Sequence, residues 1–390
     1  MIFRNPTVML PGPTPIVRSI QGAMARETIS YNDPRFAADF KALVDDLVSM
    51  WKCDGLAFVV AGSGTMAMEM GIVNIASHSD KHSDRVLVCS NGFFGDRFVD
   101  ICSRKGFETE ALRPARWGES VTLDDIRRKL GEKKFDVLVV TQVETSTGVE
   151  MPIREPCDMM RKSYPDVLIV VDGIASMGGV DFSMEWGVDV MISCSQKCFG
   201  VAPGLGILWA SKRAMEKRES MGQITETYVD FEKWVPVMRD TNKYWGTPAV
   251  NMIWALCESV RIIKEEGLEN RFARHRHYAS AVRKSLRAMG FGIGASEEIA
   301  APTVTVAMYP EGSGLDDAAF RGKLYEEGAH VAGCLGELAG AGFRIGHMGN
   351  IDENILIVLI AAIERACVKC GYDIEPGVGL GALQRALLEM

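Results

Sequence analysis

The chain has 390 residues, of which 47% are hydrophobic and 24% charged, and it carries a formal net charge of -8 at pH 7. That length suits one large domain with a smaller companion, and the acidic balance excludes a dominant attraction to nucleic acid or to an anionic membrane, both of which need a basic surface. The opening segment MIFRNPTVMLPGPTP is broken by prolines before any long apolar run forms, and the most apolar stretch, 355–363, is too short to span a bilayer, so a cytoplasmic protein acting on small molecules is expected.

In chain order, short apolar runs predict strands over 56–61, 85–89, 109–112, 137–142, 167–171, 188–193 and 206–210, and helical periods fall between them at 36–51, 65–76, 95–105 and 123–130. This interleaving predicts an α/β domain with a seven-stranded, mostly parallel sheet covered by helices. Beyond residue 265 the pattern changes to a charged helix (270–289), a strand (303–308), a helix (316–327) and a terminal helix (354–369), which reads as a smaller C-terminal α+β domain. The expected organisation is an N-terminal arm over 1–16, a large domain over 17–265 and a small domain over 266–390.

The ten cysteines are scattered through apolar segments, and most are expected to be buried thiols. Cys367 and Cys370 have C-x-x-C spacing without a second pair, and the histidines are not placed to complete a zinc site, so no metal is expected. His78 and His82, in the polar run HSDKHSD, read as a solvated loop, and the basic run from Arg271 to His277 reads as a helix face exposed to water.

Ligands of open α/β sheets gather at the carboxyl ends of strands, so the residues just beyond each apolar run are the candidates for chemistry. The first run ends in Ser63-Gly64-Thr65 before a helix, which could bring backbone N–H groups and two hydroxyls to a phosphate, or could be a bare turn. The fourth ends in Glu144-Thr145-Ser146-Thr147-Gly148, which offers hydroxyls on the same edge. The fifth ends in Asp172, which either meets a cationic or hydrogen-bonding partner or caps the next turn. The sixth leads to Gln196-Lys197 before a Gly/Pro-rich turn; a lysine there is partly desolvated, which lowers its pKa and frees its amine as a nucleophile. Arg344 stands in an apolar, glycine-rich stretch, suited to holding a carboxylate bidentately or to a structural salt bridge.

The segments LPGPTP, AGSGTMAMEMGIVN, SNGFFGDR, ETSTGVEMP, VDGIASMGG, SCSQKCFGVAPG, YWGTP and FRIGHMG, in this order, resemble the class V (fold type I) aminotransferases dependent on pyridoxal 5′-phosphate, particularly the alanine–glyoxylate and serine–pyruvate branch. The resemblance implies that fold and an enzyme moving an amino group from a small amino acid to glyoxylate or pyruvate with ping-pong kinetics. It makes Lys197 the Schiff-base lysine and Asp172 the partner of the pyridinium nitrogen. Ser63, Gly64, Thr65 and Gln196 become phosphate ligands, Thr145 lies near the ring, and Phe94 stacks where the family often has Trp or Tyr. Tyr244 and Thr247 would complete the phosphate site from a neighbouring subunit, which implies a homodimer with shared sites. Gly12 belongs to the substrate-side segment, and Arg344 fixes the substrate carboxylate.

Three other readings compete. The run from Arg344 to Gly349, the Lys197-Cys198 pair and Asp33-Pro34 are similar to pyridoxamine–pyruvate transaminase, which takes the unphosphorylated vitamer as substrate and needs no phosphate cup. A cysteine desulfurase would need a nucleophilic cysteine, for which Cys334 is the candidate. A non-catalytic paralogue is opposed by the retention of Lys197, Asp172 and Arg344.

Overall fold

The computed structural model describes residues 5–79 and 82–389. The seven expected strands form one sheet: β1 (Leu56–Ala61), β2 (Arg85–Cys89), β3 (Glu108–Leu112), β4 (Val137–Thr141), β5 (Leu168–Asp172), β6 (Val190–Cys194) and β7 (Leu205–Ala210). Their spatial order is β1-β7-β6-β5-β4-β2-β3, with β7 antiparallel to both neighbours and the other pairs parallel. The central strands β4, β5 and β6 are buried along their whole length, so both faces must be apolar and the sequence shows unbroken runs such as VLVV and LIVV. Helices cover both faces, among them Pro34–Met50, Gly64–Val73 and Phe93–Arg104. Asp33 caps the first of these, its side chain accepting from Arg35 N at 2.9 Å with Pro34 opening the helix, so the Asp33-Pro34 pair has a structural role.

A second, antiparallel sheet joins β8 (Gly292–Ile293), β9 (Val304–Met308), β10 (Ala332–Gly333) and β11 (Gly342–Gly346) in the order β8-β9-β11-β10. It has its own hydrophobic core, built on Phe291, Phe320, Phe343, Ile345 and the buried face of helix Glu353–Lys369. Residue 369 is not the end of the helical structure: Val378–Leu387 forms a further helix, with Leu383 and Leu387 in the same core. The glycines at 377, 379 and 381 depress the helical signal there.

The N-terminal arm crosses between the two sheets. Thr7–Val8 pairs with Ala329–His330, Gly346 N donates to Met9 O (2.8 Å), and Thr14 N donates to Gln196 O (3.2 Å).

Two surface expectations are corrected. His78–Ser79 and His82–Ser83 pair as a short hairpin, not a loop, although residues 80 and 81 lie outside the described residues. The run from Arg271 to His277 is not a solvated face. Arg271 and His275 are fully buried, and Arg271 donates to the carbonyls of Gly178 and Cys198, both at 2.8 Å. Charges spaced around this helix gave no sign of which face would meet those distant carbonyls.

Candidate active site

The carboxyl ends of β1, β5 and β6 open on one cavity of about 280 Å³. Ser63, Gly64 and Thr65 reach it from the turn after β1, Asp172 from the end of β5, and Gln196 and Lys197 from the turn after β6. Phe94, Thr145 and Gly12 complete the set of expected lining residues.

Lys197 Nζ donates to the carbonyl of Pro11. Burial pushes its amine below the ordinary lysine value, and the nearby Arg344 guanidinium acts in the same direction. The arm passes so close that a Cβ on Gly12 would stand 2.5 to 2.7 Å from the end of the Lys197 side chain, and φ there is +103°, so glycine is required on both counts.

Asp172 is 4% exposed. Its Oδ1 accepts from Ile174 N at 3.0 Å, so it does fasten the next turn, yet it also lines the cavity. Burial, with the charge of Glu144 adding to it, pushes this carboxyl up to about 7. Across the sheet edge, Ser63 Oγ accepts from Met66 N (3.4 Å) at the start of helix Gly64–Val73, while Gln196 Oε1 is buried with no hydrogen-bond partner among the described residues. That buried amide oxygen is an acceptor without a donor, and it lines the same cavity as the helix N-terminus at Gly64.

Arg344, on β11, points away from the core that receives its neighbours Phe343 and Ile345, as strand alternation demands. It is 8% exposed, donating through Nε to Gly333 O (2.8 Å) and through Nη1 to Thr145 O (3.4 Å). No carboxylate pairs with it among the described residues, which removes the salt-bridge alternative.

A family model, aminotransferase class V, matches residues 40–332. The chain is 33% identical to the L-aspartate–glyoxylate aminotransferase of Paracoccus denitrificans, covering 98% of this chain and 96% of the relative. It is 33% identical to the serine–glyoxylate aminotransferase of Hyphomicrobium methylovorum, covering 97% and 93%. The chain belongs to the class V aminotransferases. Its fold agrees, for the crystal structure of ureidoglycine–glyoxylate aminotransferase from Bacillus subtilis superposes with a TM-score of 0.93 at 27% identity, covering 100% of both chains.

In this class V aminotransferase Arg344, Tyr244, Thr247 and Cys334 are not among the residues that line the cavity. Tyr244 is 57% exposed, its hydroxyl 3.3 Å from Thr247 Oγ1 and its ring 5.3 Å from that of Tyr31. Cys334 is a poor nucleophile, because burial pushes its thiol up to about 11 and the thiolate is the reactive form.

Sequence reasoning missed two lining or supporting groups. Arg97 lines the cavity, donates to Thr65 Oγ1 (3.3 Å) and lies over the Phe94 ring, 4.8 Å from its centroid. The available signal was its place three residues after Phe94 in SNGFFGDR. Glu144 was passed over for the hydroxyls beyond it, although a carboxylate ending an apolar run is the same signal that singled out Asp172.

The Asp172 carboxyl has a consequence for stability. In the unfolded chain it titrates at 3.8, so between 3.8 and about 7 the folded, cofactor-free protein holds a proton that the unfolded chain has released. Stability therefore falls as pH rises through that window. Thermal melts of the cofactor-free protein should decline from about pH 4 to pH 7, by on the order of a few kcal/mol, and Asp172→Asn should flatten the decline. An unchanged slope in the variant would refute the assignment of that proton to Asp172.

Proposed function

We propose that this aminotransferase depends on pyridoxal 5′-phosphate and moves the amino group of a small amino acid, of alanine or serine type, to glyoxylate or pyruvate by a ping-pong route. The observation that carries the reading is a single cavity lined by an amine, Lys197, and a buried carboxylate, Asp172, beside the helix N-terminus at Gly64. The residues fit the cofactor. Ser63, Gly64, Thr65 and the side-chain NH2 of Gln196 suit a phosphate, Asp172 suits a protonated ring nitrogen, and Phe94 offers an aromatic face. The three glyoxylate aminotransferases described above differ in donor and agree in acceptor, which favours glyoxylate.

When bound, the cofactor supplies an aldehyde that condenses with the donor amine and a conjugated ring that takes up electrons from the substrate Cα. The protein's part comes from its own groups. Arg344 holds the α-carboxylate with its fork of donors, and Gly12 leaves the backbone close to the reacting end. Lys197 Nζ would take the proton from Cα as base and give it up to the cofactor carbon C4′ as acid, and would run the same transfer in reverse on the acceptor half of the cycle. Its depressed pKa keeps a fraction of the amine neutral and able to do so. Asp172, once a cationic ring nitrogen stands against it, is held ionised and keeps the proton on that nitrogen.

Tyr244 and Thr247, exposed on one chain, belong in this reading to the phosphate site of a second subunit, so the enzyme is a homodimer with shared sites. Residues 17–265 form the cofactor domain and 266–390 the small domain that brings Arg344. No helix among the described residues is long and apolar enough to cross a membrane, and the proposed location is the cytoplasm.

Borohydride reduction of the purified protein followed by mass spectrometry should find a phosphopyridoxyl group on Lys197. An unphosphorylated pyridoxyl adduct would instead favour a transaminase acting on the free vitamer. Donors are separated by adding amino acids singly and following conversion to the pyridoxamine form spectroscopically; alanine and serine should lead, and a clear preference for aspartate would overturn the donor assignment.

A further inference from the structure

Glu144 is fully buried and forms no salt bridge with a lysine or arginine among the described residues, the Arg344 guanidinium acting on it only at a distance. Its oxygens are nonetheless fully occupied. Oε1 accepts from Ser146 N (2.9 Å) and Ser146 Oγ (2.8 Å), while Oε2 accepts from Phe94 N (2.9 Å) and Gly95 N (3.0 Å). Ser146 Oγ in turn accepts from Phe93 N at 2.9 Å. Three consecutive N–H groups opening helix Phe93–Arg104 therefore end on the Glu144–Ser146 pair, and the N-cap residue itself, Gly92, has no side chain to offer. Gly92 is part of the same fitting, because a Cβ there would stand 2.4 Å from Ser146 Oγ and 2.8 Å from Glu144 Cγ.

Capping alone does not require this. A serine or aspartate at the N-cap would serve without taking a carboxylate out of water. The buried carboxylate adds a link between two walls of the cavity. Phe94 lies on the helix that Glu144 receives, and Thr145, the next residue along the chain, lines the cavity and accepts from Arg344.

We propose that Glu144 is a positioning residue that sets the tilt of the Phe94 ring against the bound cofactor, with Ser146 as its relay. The proposal rests on the pyridoxal 5′-phosphate reading given above. A carboxylate is required because all its partners on the helix are obligate donors. In Glu144→Gln the amide NH2 must face either Phe94 N and Gly95 N or Ser146 N, and in each orientation a donor meets a donor. The first turn then shifts and the ring loses its stacking geometry.

The test is titration of cofactor-free protein with pyridoxal 5′-phosphate, read by affinity and by the visible circular dichroism of the bound cofactor, beside thermal melts. Glu144→Gln should bind about threefold to tenfold more weakly, the range that aromatic stacking spans, with a reduced visible dichroic band. Phe94→Leu should lose a similar factor, and the double variant should lose no more than the weaker single, since both act through one ring. Ser146→Ala, which removes the relay and leaves the carboxylate, should shift the band in the same sense and serves if Glu144→Gln does not fold. Lowered melting with wild-type affinity and dichroism in Glu144→Gln or Ser146→Ala, or losses that multiply in the double variant, would overturn the proposal. Wild-type protein that takes up no pyridoxal 5′-phosphate would sink the functional reading itself, an outcome distinct from both.

Discussion

Lys197→Ala should abolish turnover, with kcat falling by at least about 10³-fold, and should erase the visible absorbance of covalently held cofactor. In the proposed mechanism this amine both carries the cofactor and moves the Cα proton, so one substitution removes a nucleophile and a general base together. Its surroundings prepare it for both roles, since burial depresses its pKa and Gly12 leaves room for its terminal atoms. Loss of fold is a poor alternative explanation, since the change removes a buried cation and leaves one carbonyl, that of Pro11, without its donor, at a cost of about 1 kcal/mol. Stopped-flow assays and an absorbance spectrum decide the matter. A variant within tenfold of the wild-type kcat would refute the assignment.

Arg344→Ala should lower kcat/KM for the amino donor by about 10²-fold, the loss of a charge-assisted pair of hydrogen bonds, while leaving cofactor affinity nearly unchanged. The prediction is large because Arg344 is enclosed and has no carboxylate of its own among the described residues, being held only by the carbonyls of Gly333 and Thr145. Its charge is thus available to a ligand. Arg344→Lys keeps the charge and loses the planar fork, so it should fall between the two. Steady-state kinetics with varied donor would show the effect; an unchanged kcat/KM in Arg344→Ala would place the substrate carboxylate elsewhere.

The sheet was legible because its central strands are buried on both faces, which forces runs such as LIVV, and every strand of it begins and ends within two residues of the expected range. The cavity was legible for a related reason. Asp172, Gln196 and Lys197 are polar groups placed where an apolar run stops, a contrast that survives in one dimension. The features that could not be read depend on distant partners. Arg344 gave no sign of being on a strand, because its flanking glycines dilute the alternation that sends Phe343 and Ile345 to the core. Arg271 looked like a surface charge because its acceptors, Gly178 and Cys198, lie far away in the sequence. Glu144 lies three residues beyond Thr141, the partner of Asp172 on the neighbouring strand, and only the fold reveals that it meets a helix start while Asp172 meets the cavity.

The arm between the two sheets sets an order of events. Met9 and Thr14 are made well before their partners, Gly346 and Gln196, so Thr14 docks only once residue 196 exists and Met9 only once residue 346 does. Until then Lys197 lacks the Pro11 carbonyl and its roof, and the cavity stands open to water. Docking of the arm is therefore a closure of high contact order, which brings Met9 to Gly346 and Thr14 to Gln196 across a lysine that lies far from the arm in sequence.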